Sequence, residues 1–174
     1  MEGVKKWKKL LNRTTILFVN KEEASLFTKI PYRLAGIKRD DPSCHVHTPR
    51  AFLPPYADDV SEIMMALGKL GVKNTVITDG RNGAQCSDGV SLYFCPVVTQ
   101  KRVDTLGAGD AFASGFTSAV LLGKDLITAL KYGTLNANSV VGQYGAQKGL
   151  LTRSQLQNKF KNSALCISKT KLKP

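Results

Sequence analysis

One stretch of this chain, residues 103–123, constrains the fold more than any other. A polar, glycine-rich turn runs directly into a helix of small residues. Within that helix Phe112, Phe116 and Val120 recur every four positions, which places them on one buried face. The sequence therefore predicts a turn and helix packed on the core of an α/β domain.

The start of this helix has the features of an anion site. Gly107 and Gly109 lack the Cβ atoms that would keep a ligand away from the backbone, and the first N–H groups of a helix have no acceptor within it. Such a terminus attracts phosphate. Asp110 would repel a resting phosphate, but it suits a base that removes a proton from an attacking hydroxyl. An aspartate is also a common helix cap, so this short pattern alone leaves both interpretations open.

A longer motif favours the chemical interpretation. Residues 104–110 read Asp-Thr-Leu-Gly-Ala-Gly-Asp and are followed by Ala-Phe-x-x-Gly, which resembles the signature of the ribokinase-like, PfkB-type carbohydrate and nucleoside kinases. The resemblance implies a three-layer ribokinase-like α/β fold, with a mostly parallel sheet flanked by helices. It also implies ATP-dependent phosphoryl transfer to a sugar or nucleoside. Asp110 would be the base, and the N–H groups of Gly107, Ala108 and Gly109 would stabilise the transferred group.

A second motif follows the apolar β-branched run of residues 14–19, which predicts a buried strand. Asn20 and Glu23 have the spacing of a helix capping box. In the ribokinase-like family an Asn-x-x-Glu motif occurs at this relative position and helps to hold Mg²⁺ and its waters near the phosphates. We expect the magnesium role, with Glu23 acting through water.

The resemblance extends to further nucleotide and cation positions. Thr78 and Gly80 match a Thr-x-Gly element that meets the nucleotide phosphates, and Gly83 closes the same turn. Asn136 interrupts a small, apolar helix face, and its amide could be satisfied by adenine or by solvent. A monovalent cation, K⁺, could be held by positions that match the family's cation site: Asp104, Leu106, Val140, Gln143, Gly145 and Gly149.

The resemblance runs over residues 4–152 and covers only the C-terminal half of a family member. We expect one domain over residues 1–174, with a loop insertion at 31–56 and a frayed tail at 168–174. The insertion holds five of the seven prolines. It also contains Cys44, His45 and His47, which lack a second ligand pair and are not assigned a metal.

The remaining pattern predicts helices and short strands in alternation. A helix at residues 3–11 would pack Val4, Trp7, Leu10 and Leu11 on the core. A hairpin at 84–95 would supply edge strands. The other predicted elements are helices at 58–70 and 126–141, a strand at 74–78, and a helix with a short strand at 156–166.

Charge and cysteine content restrict the function class. The net charge of +12 is concentrated at the ends, because residues 1–13 carry five basic and one acidic side chain and residues 148–174 carry seven basic and none acidic. Solvated tails explain this distribution better than a nucleic-acid-binding patch. Four cysteines without a Cys-x-x-Cys pair indicate reduced thiols, and neither an apolar stretch of 18 residues nor a signal peptide is present. We expect a cytoplasmic protein that does not bind membranes.

Three hypotheses follow from the sequence. The first is a kinase of the PfkB type that uses ATP and Mg²⁺. The second is a non-catalytic nucleotide-binding remnant, or one half of a split kinase that needs a complementing N-terminal half. The third is a basic nucleic-acid-binding module. A half-domain with an uncovered sheet edge also has reason to form a homo-oligomer.

Overall fold

The computed structural model describes residues 2–31, 57–97 and 101–172. Six helices are present in this part of the chain: α1 (Glu2–Leu11), α2 (Lys21–Thr28), α3 (Ala57–Lys69), α4 (Ala108–Leu121), α5 (Leu126–Val141) and α6 (Arg153–Lys161). Five strands form one sheet: β1 (Ile16–Asn20), β2 (Asn74–Thr78), β3 (Ala84–Ser87), β4 (Ser91–Cys95) and β5 (Ser168–Lys171). The bounds of α1, α3, α5 and β2 agree closely with the predicted ones, whereas the short strand predicted within 156–166 is absent from the described residues.

The strands lie in the order β1-β2-β3-β4-β5. β1 and β2 are parallel, with Asn20 opposite Thr78, whereas the other three neighbouring pairs are antiparallel. The expected α/β class is confirmed, but the described sheet is mixed rather than mostly parallel. For β3 and β4 the reason is local, because the short turn at Asp88 and Gly89 can join only antiparallel strands.

Helices cover both faces of the sheet, as the predicted three-layer fold requires. One core cluster joins the sheet to α4, α5 and α6, and the other joins it to α2 and α3. The alternation of side chains along β2 shows why, since Val76 belongs to the first cluster and Ile77 to the second. Phe116 is fully buried and makes an edge-to-face contact with Phe18 of β1 at 5.3 Å.

Helices α4 and α5 pack closely because glycines lie at their crossing. A Cβ atom on Gly115 would come 2.8 Å from the Tyr132 carbonyl oxygen, and one on Gly133 would come 2.9 Å from the Phe112 carbonyl oxygen. Larger side chains at either position would push the helices apart. This close packing fixes the start of α4 relative to α5.

Two expectations about the sheet are wrong. β3 and β4 are interior strands rather than edges, because β5 pairs with β4. Residues 168–171 therefore form a strand, not a frayed tail, and Leu172 is buried in the second core cluster. The alternating lysines, Lys169 and Lys171, made this segment too polar to be recognised as a strand. Their side chains are exposed, while the backbone pairs with β4.

The first helix packs less than its pattern predicts. Leu11 is buried, but Trp7 is 44% exposed and Leu10 is 59% exposed. The Trp7 ring meets Phe27 of α2 edge-on at 6.2 Å. Most of the predicted insertion, with Cys44, His45 and His47, lies outside the described residues.

The sequence predicts neither a membrane-spanning segment nor disulfide bonds. Among the described residues, no helix combines the length and the apolar character needed to cross a membrane. Cys86, Cys95 and Cys166 are free thiols. Burial raises the pKa of the Cys86 and Cys95 thiols, which keeps both in the unreactive protonated form.

Candidate active site

A cavity of about 240 Å³ lies between the carboxyl end of β2 and the start of α4. Its floor and walls come from four segments: the end of β2 with the turn after it, the segment that precedes α4, the first turns of α4, and one face of α5. The lining residues are Thr78, Gly80, Gly83, Ala84, Val97, Arg102, Thr105, Ala108, Gly109, Phe112, Thr134, Ala137, Asn138 and Val141. In open α/β sheets such a crevice at the carboxyl ends of strands is the usual ligand site.

Ala108 and Gly109 in the first turn of α4 line this space, whereas Gly107 and Asp110 adjoin them without belonging to its lining. Gly107 is the N-cap and has φ +75°, a left-handed conformation that favours glycine. In the part of the chain that the structure describes, the N–H groups of Gly107, Gly109 and Asp110 have no acceptor. The N–H of Ala108 donates to the Thr105 carbonyl at 3.2 Å. Of the three predicted donors, Ala108 alone already has an acceptor among the described residues, and the role of the set stays a prediction.

The two glycines of the turn have different reasons to be glycine. A Cβ on Gly107 would come 2.7 Å from Ala146, so this residue packs against the loop after α5. A Cβ on Gly109 would meet nothing within 4 Å, although Gly109 lines the cavity. Packing within the fold thus explains why position 107 is glycine. At position 109 the missing side chain leaves open space beside the cavity that no protein atom fills.

Asp110 lies in the first turn of α4 and is exposed. Within the described ranges its carboxylate accepts no hydrogen bond and forms no ion pair. The side chain is therefore not used as a helix cap. A carboxylate without a protein partner beside unpaired N–H groups can accept a proton from a ligand bound at this helix start.

Asn20 and Glu23 form a complete capping box. The Asn20 side chain accepts from the Glu23 N–H at 2.8 Å, and the Glu23 carboxylate accepts from the Asn20 N–H at 2.9 Å. Both residues are exposed, and neither lines the cavity. Asn20 is nevertheless the ladder partner of Thr78, which does line it. The pair therefore stands at the same sheet edge, and one Glu23 oxygen has no hydrogen bond among the described residues.

The turn after β2 is held by its own hydrogen bonds. The Asp79 N–H donates to the Gly83 carbonyl at 2.8 Å, and the Asn82 side-chain amide donates to the Asp79 carboxylate at 2.9 Å. These bonds place Thr78, Gly80 and Gly83 along one wall of the cavity. The structure thus brings these three predicted residues together with Ala108 and Gly109.

Asn136 does not reach the cavity, and its assignment as a nucleotide contact is corrected. The residue is 4% exposed. Its amide donates to the Ala111 carbonyl at 2.8 Å and to the Ser114 hydroxyl at 3.2 Å, and its oxygen accepts from the Leu151 N–H at 3.0 Å. The protein satisfies this amide completely, so Asn136 ties α5 to α4 and to the chain before α6.

Part of the predicted cation set lies together. The Asp104 carboxylate accepts from the N–H of Leu106 and from the N–H of Gly145, both at 3.0 Å. These two bonds hold the pKa of Asp104 below its ordinary value. The Val140 carbonyl already accepts the N–H groups of Gly142 and Gln143, which makes Val140 the least suitable ligand. Gln143 itself is exposed, and Gly149 packs against the Ser139 carbonyl.

Four polar residues of the cavity lie outside the predicted site set: Arg102, Thr105, Thr134 and Asn138. Asn138 lines it in place of Asn136, since residues two positions apart on a helix point to nearly opposite sides. Arg102 lies in an irregular segment with no periodicity, so no sequence pattern indicates that it lines the cavity. Among the described lining residues, Arg102 alone carries a charged side chain.

Comparison with known proteins gives consistent matches. A sequence model described as the pfkB family of carbohydrate kinases matches residues 3–153. The ribokinase of Bacillus subtilis (strain 168) is 37% identical over 81 residues, which are 47% of this chain and 28% of that protein. Arabidopsis thaliana ribokinase, solved with ribose and ATP, superposes with a TM-score of 0.70 at 25% identity and covers 90% of this chain and 44% of its own.

A third match has lower identity. A ribokinase II candidate from E. coli, solved with ATP and Mg²⁺, gives a TM-score of 0.67 at 18% identity over 93% of this chain and 44% of its own. At that identity the likeness concerns the fold alone. The chain spans less than half the length of each of these proteins.

Proposed function

Because the chain belongs to the pfkB family of carbohydrate kinases, we propose that it provides the nucleotide site and the catalytic base of an ATP-dependent transfer to a sugar or nucleoside hydroxyl. The observation that carries this proposal is the start of α4. There the exposed Asp110 carboxylate, without a described partner, adjoins the unpaired N–H groups of Gly107 and Gly109. ATP-containing relatives of the same fold support the choice of nucleotide.

In the proposed reaction Asp110 takes the proton of the acceptor hydroxyl. The hydroxyl oxygen forms a bond to the γ-phosphorus of ATP, the bond from that phosphorus to the β–γ bridging oxygen breaks, and ADP leaves. The N–H groups of Gly107, Gly109 and Asp110 donate to the transferred phosphoryl group. Removal of one such donor typically slows a reaction by about 10²–10³.

Magnesium fits the residues present. Mg²⁺ usually takes one or two carboxylates, substrate phosphates and waters, rather than a protein cage. The described residues agree with this, since they hold no cluster of three or more His, Cys, Asp or Glu side chains. We propose that Glu23 contacts the hydrated ion while its other oxygen caps α2 with Asn20. The ion would supply neutralisation of phosphate charge.

A monovalent cation is a further proposal for the loop between α5 and α6. Asp104, Leu106 and Gly145 supply one carboxylate and nearby backbone oxygens, and the carboxylate oxygens can each take a second partner. Activity or ATP affinity that is higher in K⁺ than in a bulky organic cation would support this site. Equal values in both would contradict it.

Calorimetry of Mg-ATP against the chain is the first experiment. Asp110→Asn should then lower turnover by about 10²–10⁴, because a general base is lost, with the Kd for Mg-ATP changed less than about threefold. ADP release would be measured over a panel of sugars and nucleosides. Wild-type turnover in the variant would remove Asp110 as the base, and absence of Mg-ATP binding would remove the proposal.

A second candidate function rests on the short coverage of the relatives. The chain spans less than half the length of these kinases. In the described sheet β1 has no neighbour on one side, and its residues Ile16, Leu17 and Phe18 are apolar and partly buried. We propose that a complementing half adds a strand along β1. The chain alone would then bind ATP without transfer, and a supplied N-terminal half would restore ADP release.

Oligomerisation and location complete the proposal. A second copy could cover the same β1 edge, and sedimentation at several concentrations would reveal such a homodimer.

The free cysteines agree with a reducing cytoplasm, where ATP is available. Fractionation of cells that express the tagged chain would test that location.

A further inference from the structure

Arg102 is the one cavity residue that the proposed chemistry does not use. It lies in the irregular segment before α4 and is partly buried. Of the lining side chains that the structure describes, it alone is charged. No hydrogen bond or ion pair of its guanidinium occurs within the described residues.

A guanidinium in this position lacks compensation. It is a permanent cation with five N–H donors, and partial burial removes some of the water that would otherwise satisfy them. Guanidinium groups pair well with carboxylates and phosphates, often through two parallel hydrogen bonds. Since the described protein offers neither to Arg102, an anionic ligand is the partner that suits it.

The backbone fixes where this cation stands. The N–H groups of Val103 and Asp104 both donate to the Val141 carbonyl, at 2.8 and 3.3 Å. Arg102 is therefore held next to the end of α5, and it lines the same cavity as Ala108 and Gly109 at the start of α4. A ligand in the cavity would meet both the start of α4 and a full positive charge.

The charge of the site explains why a cation is needed. Asp110 is a carboxylate close to the place where the phosphates would bind, and two anions repel each other strongly outside bulk water. Helix N–H groups carry only partial charge. Arg102 adds a whole positive charge to the cavity lining, which would offset the repulsion between the nearby Asp110 and a polyphosphate.

We propose that Arg102 is a nucleotide-binding residue whose guanidinium pairs with the polyphosphate of the bound nucleotide and so makes this cavity select nucleotides over nucleosides. This inference rests on the proposed nucleotide site. A competing role is structural, because a cation near the last residue of α5 also interacts favourably with the negative end of that helix. The two roles differ in what they do to ligand selectivity.

The test compares ligands that differ only in phosphate. Kd values for Mg-ATP and for adenosine would be measured by calorimetry for the wild type, Arg102→Gln and Arg102→Lys. Loss of a charge-assisted hydrogen bond should weaken Mg-ATP binding by about 10- to 100-fold in Arg102→Gln, with adenosine changed less than about threefold. Arg102→Lys should recover part of the loss, since it keeps the charge.

Lys101→Gln is the matched control. It removes the same charge one residue away, at an exposed position that does not line the cavity, and should leave both Kd values unchanged. Binding of adenosine by Arg102→Gln shows that the variant is folded. An unchanged ratio of the two Kd values would overturn the inference and favour the structural role. Wild-type protein that binds neither ligand would overturn the nucleotide site itself, and this inference with it.

Discussion

The ammonium of Lys21 lies 2.8 Å from the carboxylate of Asp79, and the Asp79 side chain is only 5% exposed. This ion pair joins the first turn of α2 to the turn after β2. Because Thr78 and Gly80 flank Asp79 and line the cavity, the pair fixes one wall of the candidate site. Neither residue belongs to a motif that the sequence revealed.

Removing the lysine from this ion pair should lower the free energy of unfolding more than removing the aspartate charge. Lys21→Met leaves a buried carboxylate with the Asn82 amide as its remaining described partner, and should lower the free energy of unfolding by about 3 kcal/mol. Asp79→Asn should cost less, because the Lys21 side chain is 28% exposed and can turn to water. Chemical denaturation measures both.

The double variant shows whether Lys21→Met loses stability because the Asp79 charge is left buried without its partner or because the attraction between the two charges is lost. If the isolated Asp79 charge is responsible, Lys21→Met combined with Asp79→Asn should be about as stable as Asp79→Asn alone. Additive losses in the double variant would contradict this explanation. Lys73→Met, at an exposed lysine without a described ion pair, serves as the control for a lost charge.

The two glycines of the turn give a second prediction. Gly107→Ala should destabilise the fold by about 1–3 kcal/mol, because a residue with φ +75° would acquire a Cβ against Ala146. Gly109→Ala should leave stability unchanged or slightly higher, yet weaken Mg-ATP binding, since its Cβ would stand in the open space at the cavity. Thermal unfolding and calorimetry separate the two effects. Equal loss of stability in both variants would contradict the assignment.

The two asparagines of α5 should also separate stability from binding. Asn136→Ala should cost about 2–3 kcal/mol, because it removes three hydrogen bonds and leaves the Leu151 N–H without its acceptor. Its Kd for Mg-ATP should stay near the wild-type value. Asn138→Ala, at the asparagine that lines the cavity, should weaken Mg-ATP binding. A binding defect specific to Asn136→Ala would restore it as a nucleotide contact.

Acid should remove the contribution of Asp104 to stability. The N–H of Leu106 and then that of Gly145 lower its pKa from the ordinary value of 3.8, so in this range the unfolded chain binds the proton more readily. The contribution is complete above the ordinary value and is lost as pH falls through the lowered one. The Tm difference between wild type and Asp104→Asn should therefore be largest near neutral pH and vanish near pH 2.

Glu62→Gln, an exposed change on α3, is the control for this titration. Its Tm should follow the wild type over the whole pH range. A Tm gap between wild type and Asp104→Asn that persists in strong acid would show that the asparagine disturbs the loop for another reason.

The sequence by itself determined most of the elements and the start of α4 on which the proposed site is built. A local pattern decides a helix start, so Gly107, Gly109 and Asp110 could be read without the fold, and the period of four predicted the buried Phe112 and Phe116. The strand at Asn74–Thr78 was predicted to the residue for the same reason. In each case the deciding interactions lie within a few residues of one another.

Only the tertiary structure decided what surrounds that centre. Whether Asn136 or Asn138 faces the cavity depends on which side of α5 meets α4, and nothing local fixes that. The polar strand at Ser168–Lys171 forms because β4 offers it a ladder, about 75 residues earlier in the chain. The same holds for the ion pair of Lys21 with Asp79 and for the position of Arg102 at the end of α5, which form only when the fold assembles. Such long-range contacts leave no periodic pattern in the sequence.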